Sequence, residues 1–339
     1  MKTTILKIDP ENPDITLIRK AAKVIKNGGL VVFPTETVYG LGANAFDTEA
    51  CKKIFKAKRR PADNPLIVHV ASFEQIYDVA EYIPKTAEKF MKKLMPGPFT
   101  MILKKKSIVS DVVTAGMNSV AIRFPEHPIA KLLIREAGVP IAAPSANISG
   151  RPSPTKAEHV IEDMYGKVDI IIDGGDTLYG LESTIINFTT DPPTLLRPGP
   201  LYPEQLQEID YVYIPEIAKG LKSQERPLSP GMKYRHYAPS KKLVLVEDLS
   251  KMKEVLEKYK DLDPIVLCPK ERIELYKGYK IIVVGSLENK FSIAKNLFDV
   301  LRAVDKMEGG IVVAEGFDDK GILFSVMNRL RKAASEVIR

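Results

Sequence analysis

The sequence predicts an α/β protein with a mixed sheet in its first part and a smaller Rossmann-like α/β domain at its end. Apolar runs of strand length alternate with helical patterns along residues 1–206 and again along residues 240–339. Between them, in residues 207–239, proline recurs and the apolar periodicity weakens. We therefore expect two folded domains joined by a linker.

The strands expected in residues 1–206 are short apolar runs bounded by turn-forming residues. No helical pattern separates two of them, FTMILK and SVAIRF, so a regular series of βαβ units is excluded and the sheet should be mixed. The expected strands are GLVVFP (29–34), PLIVHV (65–70), FTMILK (99–104), SVAIRF (119–124), PIAAPS (140–145), VDIIIDGG (168–175) and STIINF (183–188).

Three helices are expected between these strands. Residues 47–58 have Asp47 as the N-cap and an apolar face that includes Ile54. Residues 78–94 are mainly helical in pattern but interrupted by Pro84, and residues 129–137 form the third helix.

The second domain should contain four strands and three helices. The segment SPGMKYRHYAP (229–239) at the end of the linker is aromatic and basic, so we expect it to fold back over the first domain as a lid. The expected strands are residues 242–248, 264–269, 280–286 and 309–317, and the helices are 251–259, 292–308 and 322–337.

Composition narrows the classes of function. The 339 residues contain 45% hydrophobic residues, no apolar run long enough for a membrane span and no apolar signal core, so we expect a cytoplasmic protein. Cys51 and Cys268 make no disulfide framework, and the spacing of the four histidines argues against a protein-built metal site. The net charge of +7 favours anionic partners, which could be a nucleotide or RNA. A basic surface that contacts only water is the alternative.

Two cations stand two residues apart where a predicted helix ends. Lys58 closes the helix, and Arg60 precedes Pro61, which disfavours helical backbone at Arg60. Both side chains could converge on one anion. A solvated basic face is the alternative, because further lysines and an arginine stand within residues 52–59.

His69 and Arg123 each lie in a predicted strand with apolar neighbours. A lone strand histidine is more typical of a core position. A buried guanidinium needs an anion, and its planar fork suits a carboxylate.

Ser145 and Asn147 follow a predicted strand within PSANISG (144–150). They could bind a phosphate or a base, or they could form a helix N-cap or an Asx turn. GLGANA (40–45) fits a dinucleotide-binding pattern, but PTETV separates it from its strand. We favour a substrate loop in which Thr35 offers a hydroxyl, and a tight turn with glycines at positive φ is the alternative.

Seven motifs, taken together and in this order, resemble the Sua5/YrdC/YwlC family, and the long, archaeal-like Sua5 type is the closer match. They are PTETVYGLGANA (34–45), AKRRPADNPLIVHV (57–70), AIRFP (121–125), PSANISG (144–150), GLESTIINF (180–188), LRPGP (196–200) and SPGMKYRHYAP (229–239). The resemblance implies a YrdC-like catalytic domain in residues 1–206, a linker or lid in 207–239 and a Sua5 C-terminal domain in 240–339.

The family consists of L-threonylcarbamoyladenylate synthases. The resemblance implies that L-threonine, bicarbonate or CO₂, and ATP give L-threonylcarbamoyl-AMP and pyrophosphate. The product would pass to a tRNA threonylcarbamoyl transferase complex, with at most weak contact between this chain and tRNA. Magnesium would arrive with ATP, since an ion bound mainly through phosphates leaves little trace in the sequence.

The resemblance also implies the role of individual residues. Lys58, Arg60, Ser145 and Asn147 match the family's K-x-R and S-x-N elements and are the expected catalytic residues. Threonine would be bound by Thr35, His69, Arg123, Ala143 and Ser183. ATP would be bound by Lys58, Arg60, Asn64, Ser119, Ser145, Asn147, Ser153, Arg197 and Tyr234.

Two other classes of function remain as alternatives. A basic module could bind tRNA or double-stranded RNA without chemistry of its own, which predicts cations spread over a surface. A dehydrogenase built on GLGANA would bind a nicotinamide cofactor. The synthase instead predicts a few cations that converge in one pocket.

Overall fold

A mixed sheet forms the first domain of the computed structural model, which describes residues 2–221 and 236–339 of the chain. Within the described residues its strands follow the order β1-β8-β2-β3-β7-β4-β6-β5-β9-β10. The strands are β1 Thr4–Lys7, β2 Val31–Phe33, β3 Gly40–Asn44, β4 Ile67–His69, β5 Phe99–Lys104, β6 Ser119–Arg123, β7 Ile141–Ala142, β8 Ile170–Asp173, β9 Thr184–Asn187 and β10 Thr194–Arg197.

Helices cover both faces of this sheet. One face packs against α1 and α6, and the other packs against α2, α3, α4 and α7 through a larger apolar cluster. The helices are α1 Ile15–Lys26, α2 Thr48–Lys58, α3 Phe73–Val79, α4 Lys85–Leu94, α5 Asp111–Thr114, α6 Pro128–Ala137, α7 Ala157–Met164 and α8 Pro203–Gln207.

The register of the central strands brings two polar side chains together. Strands β4 and β6 are parallel, and His69 lies opposite Arg123 at the carboxyl ends of both. The carboxyl ends of parallel strands are a common place for ligand sites in open α/β sheets. The antiparallel β5–β6 pair confirms that the sheet is mixed.

Helix α2 positions the next candidate residue. Asp47 caps it by accepting a hydrogen bond from the Ala50 amide at 2.9 Å. Arg59 adopts left-handed backbone, with φ of 53°, and ends the helix. Lys58 is therefore the last helical residue, as the sequence predicts.

The second domain is a smaller, all-parallel sheet with the strand order β13-β12-β14-β11-β15. This arrangement confirms the Rossmann-like prediction. Its strands are β11 Lys242–Val246, β12 Pro264–Cys268, β13 Lys280–Val283, β14 Ile311–Glu315 and β15 Glu336–Ile338, and its helices are α9 Met252–Lys258, α10 Lys290–Ala303 and α11 Ile322–Ala333.

Helices α10 and α11 of the second domain pack against the first domain. Arg302 of α10 donates to the Asp163 carboxylate at 2.7 Å and to the Pro152 carbonyl at 2.7 Å. A Cβ built on Gly180 would lie 2.2 Å from the Lys295 carbonyl oxygen, so only glycine allows the chains to approach so closely here.

Several predicted elements differ from the structure. The predicted substrate loop at 34–45 is a loop only up to residue 39, because GLGAN forms β3 against β2. Neither Gly40 nor Gly42 has positive φ, so the alternative of a tight turn is wrong. A Cβ on Gly42 would lie 2.7 Å from an Ile141 methyl, so that glycine is needed for packing.

Other boundaries shift for local reasons. The helical pattern at 78–94 divides into α3, which ends at Val79, and α4, which begins after Pro84. The last predicted helix ends at Ala333, and β15 follows it. Strand β1 and helix α1 were not predicted. No helix in the described ranges has the length and apolar character that crossing a membrane requires.

The buried pair of Arg302 and Asp163 yields a stability prediction. Asp163 is fully buried, and Arg302 is 3% exposed. Arg302→Met should leave that carboxylate short of a partner and lower the unfolding free energy by about 3 kcal/mol. Differential scanning calorimetry would measure the effect as a lower Tm.

Lys52→Met is the matched control, since Lys52 pairs with Glu49 at the surface, where ion pairs contribute little. An equal Tm for Arg302→Met and Lys52→Met would contradict the assigned role of the buried pair.

Candidate active site

One cavity at the carboxyl ends of β4 and β6 collects most of the residues predicted from the sequence. It is lined by groups from β4, β6, the end of α2, the 143–153 loop, β10 and the segment after the undescribed residues. The predicted residues that line it are Thr35, Lys58, Arg60, His69, Arg123, Ala143, Ser145, Asn147, Ser153, Ser183 and Arg197.

Two predicted residues do not line the cavity, and a third is not among the described residues. Asn64 is buried beside the cavity, and its backbone carbonyl accepts from Arg60 Nε at 3.3 Å. Ser119 begins β6 opposite Lys104, at the other end of that strand from Arg123, and does not line the cavity. Tyr234 lies outside the described residues.

Lys58 ties helix α2 to the loop after β7. Its ammonium donates to the carbonyl of Asn147 at 2.6 Å and to the carbonyl of Ser145. Burial, followed by the neighbouring Arg60 charge, holds the pKa of Lys58 well below its usual range. An ammonium has three N–H donors, and within the described residues these two carbonyls take two of them. An anion in the cavity could therefore accept the third.

Arg60 is held by backbone just past the end of α2. Its guanidinium donates to the Asn64 carbonyl at 3.3 Å and to the Pro65 carbonyl at 3.0 Å. Burial lowers its pKa to about 10, so Arg60 remains a cation at neutral pH. The predicted convergence of Lys58 and Arg60 on one cavity agrees with this geometry.

Arg123 already has a carboxylate partner. Its Nη2 donates to Glu36 Oε1 at 2.6 Å, and its Nη1 donates to Thr37 Oγ1 at 2.9 Å. The sequence predicts an anion for this buried guanidinium, and Glu36 supplies one that the prediction did not include. Glu36 Oε2 has no hydrogen-bond partner among the described residues. A ligand carboxylate would therefore share Arg123 with Glu36 or displace it.

His69 is a neutral side chain beside Arg123. Burial and the Arg123 charge lower its pKa to about 3. Its Nδ1 lies 3.1 Å from the Ile67 carbonyl oxygen, which places the ring proton on Nδ1. Its Nε2 can then accept a hydrogen bond from a ligand.

Asn147 and Thr35 organise the loops around the cavity. The Asn147 amide donates to the carbonyls of Ile148 at 2.9 Å and Arg151 at 3.0 Å. Thr35 donates its hydroxyl to the Val38 carbonyl at 2.6 Å, so it can only accept from a ligand. Both side chains therefore stabilise the loops around the cavity, in addition to any contact that they make with a ligand.

Ser183 and Arg197 form a further part of the cavity wall. Arg197 donates to the Ser183 carbonyl at 3.0 Å and to its hydroxyl oxygen at 3.1 Å. The Ser183 hydroxyl also bonds Thr100 Oγ1 at 2.7 Å. Burial lowers the pKa of Arg197, and its guanidinium remains a further cation in the cavity.

Several lining residues were not assigned a role from the sequence, among them Glu182 and Tyr237, and His236 was predicted only as part of the lid segment. Glu182 accepts a hydrogen bond from the predicted residue Ser153 at 2.6 Å. His236 and Tyr237 line the cavity from the end of the linker, and burial lowers the pKa of His236 to about 3. Tyr237 has left-handed backbone, with φ of 64°, which is uncommon outside glycine and asparagine. The acid inside GLESTIINF was the available signal for Glu182.

The cavity can bind a compound that carries several negative charges. Lys58 and Arg60 face it from the end of α2, Arg123 from β6 and Arg197 from β10. His69, Ser145 and Ser183 add neutral polar groups. The described residues contain no group of three histidine, cysteine or acidic side chains arranged to hold a metal ion.

Comparison with known proteins agrees with these motifs. A family profile described as "Telomere recombination", for the group Sua5, YciO and YrdC, matches residues 23–199. A second profile, described as "Threonylcarbamoyl-AMP synthase, C-terminal domain", matches residues 202–335.

Proteins from other organisms align along nearly the whole chain. A Pyrococcus abyssi protein named threonylcarbamoyl-AMP synthase is 48% identical, over 94% of this chain and 94% of its own length. A Bacillus subtilis protein of the same name is 45% identical, over 95% of this chain and 94% of its own length.

Solved structures show the same fold. The crystal structure of P. abyssi Sua5 with L-threonine has a TM-score of 0.92 and 45% identity, and the match covers 100% of this chain and 99% of that one. Escherichia coli YciO has a TM-score of 0.53 and 27% identity, and the match covers 59% of this chain and 96% of that one. These full-length matches and both profiles confirm the resemblance: the chain belongs to the Sua5/YciO/YrdC family, in the two-domain form that carries a Sua5 C-terminal domain.

Proposed function

We propose that this protein is an L-threonylcarbamoyladenylate synthase that uses L-threonine, bicarbonate or CO₂, and ATP. The observation that carries the proposal is one cavity with two polar regions. Arg123 and His69 suit an amino-acid carboxylate, and Lys58, Arg60 and Arg197 suit a triphosphate. The relatives named threonylcarbamoyl-AMP synthase and the threonine complex of P. abyssi Sua5 support it.

The proposed chemistry joins threonine to AMP in two steps. The threonine amine attacks CO₂ and loses a proton, which gives a carbamate. A carbamate oxygen then attacks the α-phosphorus of ATP, the bond from that phosphorus to the bridging oxygen breaks, and pyrophosphate leaves with the electron pair. Placement of the reactants and neutralisation of negative charge matter most for such a transfer.

The residues of the cavity match these two needs. We assign Thr35, His69, Arg123, Ala143 and Ser183 to threonine, and Lys58, Arg60, Ser145, Asn147, Ser153 and Arg197 to ATP. Lys58 and Arg60 come from one helix end and are anchored to backbone carbonyls, so they hold N–H donors in fixed positions for the phosphates. Arg60 also adds a positive charge. The proposed ATP contacts of Asn64, Ser119 and Tyr234 rest on the family motifs alone.

We propose that magnesium enters with ATP. A magnesium ion bound mainly by phosphate oxygens and water needs few protein ligands, which fits the donor set of a cavity dominated by cations, hydroxyls and carbonyls. The ion would offset phosphate charge during the transfer.

Transfer of the product to a tRNA threonylcarbamoyl transferase complex, weak contact with tRNA and a cytoplasmic location also remain proposals. An RNA-binding module without chemistry is less favoured. Lys58 is 1% exposed, and Arg123 and Arg197 are 4% exposed, so none can contact an RNA backbone at the surface. The dehydrogenase alternative loses its glycine turn, since GLGAN is a strand.

Pyrophosphate release from ATP tests the proposal directly. Release should require both L-threonine and bicarbonate, and isothermal titration should show binding of ATP and threonine. Release that is independent of threonine, or binding of tRNA alone, would contradict it.

Arg60→Ala should reduce pyrophosphate release by about a hundredfold to a thousandfold, because one fixed positive charge at the transferring phosphate is lost. Steady-state kinetics at saturating threonine would measure the loss. Lys56→Ala is the control, since Lys56 is exposed on α2, the helix that ends just before Arg60. Equal rates for the two variants, with unchanged melting curves, would remove Arg60 from the site.

Arg123→Lys should weaken threonine binding by about tenfold or more, ~1.4 kcal/mol, while ATP binding changes little. Lysine keeps the charge but loses the planar fork that bonds a carboxylate and Glu36 together. Separate titrations with threonine and with ATP would measure both Kd values.

Arg135→Lys is the matched control, because Arg135 is exposed on α6. If Arg123→Lys weakened ATP and threonine binding equally, Arg123 would not be specific to the amino acid.

A further inference from the structure

Helix α11 of the second domain inserts a charged side chain beneath the cavity of the first domain. Arg329 is fully buried, a rare state for an arginine unless it is paired. Its Nε donates to Glu182 Oε2 at 3.1 Å, and its Nη1 donates to the Pro198 carbonyl. The cavity wall therefore depends on a residue from the other domain.

Glu182 lines the cavity and connects Arg329 to residues around the proposed nucleotide position. Its Oε1 accepts from the Ser153 hydroxyl at 2.6 Å, and its carboxylate is also hydrogen-bonded to the Tyr237 side chain. Tyr237 in turn stacks on Phe298 of α10 at 5.1 Å and lies 5.6 Å from the Arg329 guanidinium. Ser153, Tyr237 and Glu182 thus share one network, and α10 and α11 support it.

An acid in this place needs an explanation, because the cavity is built for an anion. Burial raises the pKa of Glu182, but the Arg329 and Arg197 charges outweigh it and hold that pKa below its usual value. Glu182 is therefore ionised at neutral pH. An ionised carboxylate without a neutralising partner would repel a triphosphate across a low-dielectric cavity.

Other residues of α11 attach the helix differently. Ser325 donates to the Gly199 carbonyl at 2.8 Å, and Asn328 donates to the Ala218 carbonyl at 2.8 Å. These bonds end on backbone, whereas Arg329 reaches a side chain that lines the cavity. Arg329 therefore has a contact that docking of the helix alone does not require.

We propose that Arg329 is a positioning residue through which the second domain completes the nucleotide-binding part of the active site. It neutralises Glu182 and holds it where Ser153 and Tyr237 are bound. This inference rests on the proposed function, since it assigns a role within ATP binding.

The experiment compares variants at the Arg329–Glu182 pair with a docking control. Arg329→Gln should raise the KM for ATP by about tenfold or more and leave the KM for threonine nearly unchanged. Arg329→Lys, which keeps the charge, should lie between this variant and the wild type. Ser325→Ala removes one interdomain hydrogen bond from the same helix and should match the wild type in both KM values.

The double variant Arg329→Gln with Glu182→Gln distinguishes charge neutralisation from docking. Removing the unpaired carboxylate should lower the KM for ATP from the raised value of Arg329→Gln most of the way back to that of the wild type. No restoration, or an Arg329→Gln variant that matches Ser325→Ala in kinetics, would overturn the inference.

Two further outcomes are separable. If Arg329→Gln does not fold, the comparison uses Arg329→Lys and the double variant instead. Weak ATP binding by the double variant would then refute the inference. If the wild-type protein releases no pyrophosphate but binds ATP in calorimetry, the proposed function fails, and the Kd values of the variants for ATP still decide the role of Arg329.

Discussion

Buried positive charge is the constraint on which this structure depends. Lys58, Arg123, Arg197 and Arg329 are each at most 4% exposed, and charges taken out of water must be paired or hydrogen-bonded. The chain meets this demand with carbonyls at Lys58, with Glu36 at Arg123 and with Glu182 at Arg329. Each solution also fixes a loop, so the same bonds that stabilise the cations shape the cavity.

Hydrogen bonds of these cations join separate parts of the chain, and the bond from Arg329 joins the two domains. Lys58 joins α2 to the loop after β7, Arg197 joins β10 to the start of β9, and Arg329 joins α11 to Glu182. The segment that enters the second domain adds His236 and Tyr237 to the cavity wall. The second domain therefore contacts a residue that lines the cavity, through the bond from Arg329 to Glu182.

Local patterns predict much of the fold and of the site. The cap at Asp47 correctly locates the start of α2, and the proline after Arg60 correctly locates its end. Apolar runs correctly locate the central strands. The pairing of one strand with another was harder to predict from local patterns. GLGAN becomes a strand because it pairs with β2. Its Gly42 is needed for close packing against Ile141 and not for a turn.

The same distinction applies to the site. Lys58, Arg60, Arg123 and Arg197 were predicted because each stands in a distinctive motif. Arg329 and the acidic partners were not identified from the sequence. Glu36 and Glu182 are separated from Arg123 and Arg329 by 87 and 147 positions, so only the fold brings each acid to its arginine. Boundaries between the first domain, the linker and the second domain remain a prediction.

The most direct measurement uses isotopically labelled bicarbonate with ATP and L-threonine, followed by mass spectrometry of the enzyme products. If one cavity places the carbamate of threonine against the α-phosphate, the label will appear in threonylcarbamoyl-AMP, in proportion to the pyrophosphate released. Pyrophosphate released without labelled threonylcarbamoyl-AMP, or ATP and threonine bound with no such product, would contradict the account.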